Sequence, residues 1–267
     1  GLITNQNQYF MVYEVDLETG AATLVVSEKL SDNPDYAEIP CRFDAFGVNG
    51  DIHGNACIMA ADATNGSWNT YRWLIEDGVV GKAKLIKINS IEQSLFKNAT
   101  WFGTAPQIFP KDETGSLFYV DGFYTTPMLF NESGTLVDDF INVPTGLLVA
   151  NQEGDKIEMN TGHNGLMEFQ VGNEYFLIMA ATNTLHNVPS TFALYKFADK
   201  YRSFKGLEPL WYFPANGMGN ASNGCRVAMP SVEVEGNTAT IYLYVNNNGY
   251  ASYTLHVDGA EIIDPSL

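Results

Sequence analysis

Residues 46–62 read FGVNGDIHGNACIMAAD, and residues 169–182 read FQVGNEYFLIMAAT. Each is an apolar run, a turn at Gly54-Asn55 or Gly172-Asn173, and a second run with the near-identical core CIMAAD (57–62) or LIMAAT (177–182). Glycine and asparagine tolerate the positive φ that tight hairpin turns demand, so each stretch predicts a β-hairpin. The form returns as APQIFPKDETGSLFYVDG (105–122), turning at Thr114-Gly115, and as SVEVEGNTATIYLYV (231–245), turning at Gly236-Asn237.

A second hairpin follows each of these four, and a fifth stands near the start. They read FMVYEVDLETGAATLVV (10–26), TYRWLIEDGVVGKAKLIKI (70–88), TPMLFNESGTLVDDFI (126–141), TFALYKF with LEPLWYF (191–197, 207–213) and SYTLHVDGAEII (252–263). Aligned, they place Val15, Ile75, Phe130, Phe197 and Val257 at equivalent positions, 55–67 residues apart. One face is expected to carry Met11, Tyr13 and Val15 in the first copy and Tyr71, Trp73 and Ile75 in the second. Period-two alternation around a Gly-containing turn is the strand signature.

Two hairpins per repeat make a four-stranded antiparallel sheet with two faces to bury, and radial stacking of such sheets buries both. The expectation is an all-β fold, a β-propeller of five four-stranded blades in a single domain over 1–267. Only residues 1–8 precede the first hairpin, so either Leu2–Asn5 supplies one strand of an incomplete first blade or the natural chain begins upstream. Pro144–Gly162 is surplus to the repeat and is assigned to a cap or to part of a site.

Composition narrows the functions. Among 267 residues, 31 acidic against 14 basic side chains give a net charge of −17. Such a surface repels phosphate backbones and anionic lipid, which argues against nucleic-acid partners and membrane-surface binding. The longest apolar stretch, Tyr175–Ala181, is far shorter than the roughly 20 residues a membrane-spanning helix needs. Cys41, Cys57 and Cys225 lack the paired spacing of a metal site, so three unpaired thiols are expected, with Cys57 opposite Phe46 or Gly47. Few lysines with abundant Asn, Gly and Tyr point to an extracytoplasmic protein.

Strand order fixes where function can sit. With strands a to d counted from the axis outward, the a–b and c–d turns leave one end of a blade. The b–c loops and the d-to-a connections leave the other. The long connections, residues 28–40, 89–106, 142–164 and 213–224, all belong to that second end, and loops on a rigid scaffold carry function more often than the scaffold does. Trp68 and His186 are expected in b–c loops. Trp101, His163, Asn164 and Asn223 fall in connections, and Arg42 and Arg226 at the starts of inner strands. Flat aromatics with fork-shaped amides and guanidiniums suit sugars and small anionic ligands, so these eight are the candidate ligand-binding residues. In the competing reading, Trp68 and Trp101 wedge between blades and the two arginines pair with acids.

No GxSxG, HExxH, Walker or GxGxxG pattern occurs, so no catalytic residue, metal site or cofactor is assigned. Asp44 and Glu168, on or beside inner strands, are the carboxylates from which a glycosidase pair could be made. Ile58, Met59, Phe118, Ile178, Met179, Tyr242 and Leu243 are the expected core.

The Asn/Gly/Tyr-rich hairpins, the IMAAD and IMAAT cores and the acidic balance resemble the β-propeller proteins among secreted or lipid-anchored surface proteins of gut bacteria. Such proteins often belong to glycan-acquisition systems, and the resemblance implies a periplasmic or cell-surface location and a binding or scaffold role. Together these readings favour a non-catalytic, monomeric binding protein whose partner is a glycan or another protein. The alternatives are a glycoside-active enzyme with a carboxylate pair at the channel mouth, and a structural propeller.

Overall fold

The computed structural model describes residues 9–34, 45–64, 67–88, 107–121, 127–139, 148–150, 156–158, 166–181, 190–218, 228–245, 249–257 and 261–263. The fold class is the one the repeat predicts, all-β and of the β-propeller class; against the five four-stranded blades expected, the described residues form four blade sheets, three of four strands and one of five. The second repeat forms β3 (Ala45–Gly50), β4 (Ala56–Thr64), β5 (Ser67–Glu76), β6 (Val79–Val80) and β7 (Lys84–Ile88). The third forms β8 (Gln107–Pro110), β9 (Leu117–Asp121), β10 (Met128–Asn131) and β11 (Leu136–Asp139). The fourth forms β14 (Leu166–Val171), β15 (Glu174–Ala181), β16 (Ser190–Phe197) and β17 (Leu207–Met218). The fifth forms β18 (Ala228–Glu235), β19 (Thr238–Val245), β20 (Gly249–His256) and β21 (Glu261–Ile263). In all four sheets strands pair in sequence order; in the second repeat both β6 and β7 pair with β5.

The first repeat shows only β1 (Tyr9–Val15) and β2 (Ala22–Lys29) among the described residues, paired antiparallel. The surplus segment holds a short hairpin, β12 (Leu148–Ala150) and β13 (Lys156–Glu158), with β12 beside β17.

Contacts divide the chain into two compact units. One comprises Gly1–Ile91, Gly103–Tyr119 and Phe130–Thr135; the other comprises Glu92–Phe102, Val120–Leu129 and Leu136–Leu267. In the first unit, Phe10 and Leu30 from the β1–β2 arm pack on Ala56, Ile58, Tyr71, Trp73 and Ile75. Phe10 stacks on Trp73 with ring centroids 4.2 Å apart, and the Trp73 indole N–H donates to Glu28 Oε2 at 2.9 Å. Here one expectation is corrected. Met11, Tyr13 and Val15 are about half exposed, while Phe10 is buried. The hairpin meets β5 through Phe10 and Val12, so period-two alternation turns Met11, Tyr13 and Val15 outward.

In the second unit, Phe176, Ile178, Phe192, Leu194 and Phe213 of the fourth sheet meet Ala239, Ile241, Leu243, Tyr253 and Leu255 of the fifth. Leu177 and Met179, on the other face of β15, are buried as well. Cover on both faces explains why FLIM is apolar throughout instead of alternating. Ile178 has no exposed surface. Ile178→Ala is expected to cost about 2–5 kcal/mol, the range of large-to-small core changes, read as a lowered denaturant midpoint. An unchanged midpoint contradicts the packing.

Ile58, Met59, Phe118, Met179 and Leu243 are buried as expected, whereas Tyr242 is 36% exposed. Ile241 and Leu243 take the covered face of β19, which leaves Tyr242 on the open one. The Cys57 register also shifts. Its partner is Asn49, because the hairpin closes at Gly50↔Ala56 around a loop at Asp51–Asn55. The positive φ of that turn sits at Gly50 (97°), while Gly172 (57°) and Gly236 (58°) carry it where the sequence places it.

Candidate functional site

The turn ends of the sheets are closed by their own side chains. Asp16 Oδ1 accepts from the backbone N–H groups of Glu18 and Thr19 at 2.9 and 2.8 Å. Asp51 does the same for His53, Asp112 for Thr114 and Gly115, and Asp199 for Tyr201. Asn131 takes the N–H groups of Ser133 and Thr135, both at 3.0 Å. Carboxylate and amide oxygens capping the backbone two to four residues on is the Asx-turn device. The Thr19 N–H is the main cause holding the Asp16 carboxyl below its usual range. These acids are structural, and the loops they close are compact.

The opposite strand ends carry the chain between sheets, through residues 35–44, 89–106, 140–165 and 219–227. Of the eight candidate residues, Arg42, Trp101, His163, Asn164, His186, Asn223 and Arg226 lie outside the described residues. In sequence they precede β3, β8, β14 and β18 or fall between β15 and β16. Trp68 is corrected from loop to strand. The β4–β5 pairing continues to Thr64↔Ser67, and Trp68 pairs with Ala63 and Ile88 inside β5. Asp44, Cys41 and Cys225 are likewise outside the described residues.

Glu168 sits on β14, yet its carboxylate is bound to Arg202 at 2.7 Å with the side chain 7% exposed. Arg202 belongs to the β16–β17 turn, so the ion pair draws Glu168 toward the turn end. Among the described residues, no group of three or more His, Cys, Asp or Glu could hold a metal ion. No helix among them is long and apolar enough to cross a membrane.

Sequence reading misses one pocket of about 330 Å³, where β5 passes from pairing with β6 to pairing with β7. Arg72, Lys82 and Lys84 line it with Glu76, Leu74 and Val79. Arg72 is buried and held by the Gly115 carbonyl and Glu132 Oε2, at 3.1 and 3.2 Å. Gly81 in VVGKAK, which breaks the outer strand, is the signal that could have found it.

Cys57 is buried, unpaired and next to Arg72 in space; burial pushes its thiol up to about 12, against the pull of the Arg72 charge. At pH 8 the thiolate is then negligible, and the thiolate is the reactive form. In a Cys41→Ser/Cys225→Ser protein, a thiol reagent at pH 8 is expected to find no group in the native state and one after denaturation. Rapid native-state labelling contradicts the burial.

No family model matches the chain, and no curated protein matches it. Among solved structures, the chain is similar to a GH43 protein from Bacillus licheniformis, at 15% identity and a TM-score of 0.45. That match covers 98% of this chain and 52% of the other, so the chain spans about half the length of that protein. A GH43_1 enzyme from Xanthomonas citri, complexed with xylose, matches at 10% identity and a TM-score of 0.46, over 96% of this chain and 81% of that one. The β-propeller domain of the Trilobed protease from Pyrococcus furiosus matches at 9% identity and a TM-score of 0.31, over 84% and 72%.

Proposed function

We propose that this chain is a non-catalytic, extracytoplasmic binding protein that takes a carbohydrate at the strand ends opposite its tight turns. The observation that carries the reading is the division of labour between the two ends. One end is closed by short loops whose side chains are spent on their own backbone. The other owns every connection between sheets.

Those connections are rich in the groups a sugar needs. Trp101 offers a flat apolar ring; Asn164 and Asn223 offer paired donors and acceptors; Arg42 and Arg226 offer planar forks. Each such contact is worth only about 0.5–1.5 kcal/mol net, so useful affinity requires several of them on one ligand. The engagement of the Glu168 carboxylate by Arg202, a residue of the β16–β17 turn, supports the binding reading, since it draws that carboxylate toward the turn end.

Screening the purified protein on a glycan array, followed by a reducing-sugar assay on every glycan bound, tests the reading. Retention of a glycan without release of reducing sugar is expected. Hydrolysis of a bound glycan makes the protein a glycoside-active enzyme instead. Failure to retain any glycan removes the carbohydrate reading.

A further inference from the structure

The sheet of β18–β21 presents two unlike faces. On one, Ala239, Ile241, Leu243, Tyr253 and Leu255 are at most 3% exposed. On the other, Tyr242 is 36%, Tyr244 47% and Tyr250 79% exposed. Tyr244 stands directly opposite Tyr250 across the β19–β20 ladder, and Tyr242 follows two residues along β19. Ser231 and Ser252 flank Tyr242 on the neighbouring strands. The next row is Glu233, Thr240 and Thr254. The Tyr242 hydroxyl donates to Glu233 Oε2 at 3.0 Å, which fixes its ring on the sheet.

This is not a face made to be covered by another sheet. Where a sheet is covered on both sides, as at β15 and β16, both faces are apolar: Leu177 and Met179 on one, Phe176 and Ile178 on the other. Here hydroxyls and carboxylates surround three tyrosine rings. Neither lysine nor arginine occurs in β18, β19 or β20, so the charge on this face is that of Glu233 and Glu235, and an anionic ligand is repelled. Rings spaced about 5–7 Å apart on a flat ladder, rimmed by hydroxyls, match the stacking faces and hydroxyl edges of consecutive pyranose units.

We propose that the β18–β20 face, centred on Tyr242, Tyr244 and Tyr250, is a second docking surface, for a neutral polysaccharide chain. It runs over the sheet itself and does not depend on the strand-end site. Affinity electrophoresis in soluble hydroxyethyl cellulose and in neutral arabinoxylan, with polygalacturonate as the anionic probe, tests it. At least one neutral polymer is expected to retard the wild-type protein, and polygalacturonate is not.

Tyr244→Ala/Tyr250→Ala is expected to weaken that retardation at least about fivefold, while Tyr244→Phe/Tyr250→Phe keeps most of it. Both variants should melt where the wild-type protein melts. The proposal is overturned if the double alanine variant is retarded like the wild-type protein, or if neither neutral polymer is bound. It is also overturned if both double variants melt several degrees lower, since the rings would then be covered by protein. A Trp101→Ala/Arg226→Ala protein separates the two sites. Lost retardation there, with the tyrosine variants unaffected, sinks this surface and leaves the strand-end reading standing; the reverse pattern does the opposite.

Discussion

Gly47→Ala is expected to lower the thermal midpoint by about 6–12 °C. Gly47 lies on β3, where it is buried against β8. A Cβ built there overlaps the Ile108 carbonyl oxygen and its carbon, backbone atoms that cannot rotate aside. The strand must therefore move, and Asn49, which reaches the Pro110 carbonyl at 3.1 Å from the same strand, moves with it. Overpacking of this kind costs about 3 kcal/mol or more when the obstacle is backbone. Melting followed by circular dichroism reads the loss. A midpoint within about 2 °C of the wild-type value means the two strands do not touch there.

Trp73→Ala is expected to cost about 3–5 kcal/mol, and the damage should begin in one place. Trp73 has no exposed surface, and it is the residue on which the β1–β2 arm rests, through the Phe10 stack and the Glu28 hydrogen bond. Glu28 also accepts from Asn33 at 3.3 Å, and Asn33 donates to the Ala83 carbonyl at 2.9 Å. Removing the indole cuts the first links of that chain. Limited proteolysis should then cleave within residues 9–34 before any cut elsewhere, since a segment that loses its buried contacts opens first. Trp73→Phe keeps a ring under Phe10 but loses the Glu28 bond, and its cost should be nearer about 1 kcal/mol. Equal proteolysis of wild-type and Trp73→Ala proteins contradicts this anchoring.

The blade pattern is legible in the sequence because burial writes itself into residue type. A strand covered on both faces must be apolar throughout, and IMAA occurs in both copies for that reason. Gly172 and Gly236 mark turns because the backbone there has positive φ. What alternation cannot say is which of its two faces is covered. Tyr242 and Leu243 are neighbours with similar hydrophobic character, and only the packing of the fourth sheet on the fifth decides that Leu243 goes in. Phe10 and Met11 are decided the same way by β5.

Register is lost for another reason. A hairpin folded about residues 50–54 sets Cys57 opposite Phe46 or Gly47; the observed one is centred on His53, one residue further on than Gly47↔Cys57 pairing needs, and that shift moves the partner of Cys57 to Asn49. The candidate site is legible only as a choice of strand ends. Trp68 shows the cost of reading loops from composition, since Asn65-Gly66 looks like part of a longer loop while pairing continues to Thr64↔Ser67. The function of Glu168 was equally hidden, because Arg202 is distant in sequence and meets it only through the β16–β17 turn.

Calorimetric titration of three proteins with the glycan that the array identifies tests the strand-end site most directly. Trp101→Ala and Arg226→Ala alter residues proposed for the connecting-end site, and His53→Ala alters an exposed residue in the β3–β4 turn. The first two are expected to weaken binding about 2- to 12-fold each, the loss of a single net contact, with unchanged melting temperatures. His53→Ala should bind as the wild-type protein does. Full affinity in Trp101→Ala and Arg226→Ala, or a loss confined to His53→Ala, contradicts a binding site at the connecting end.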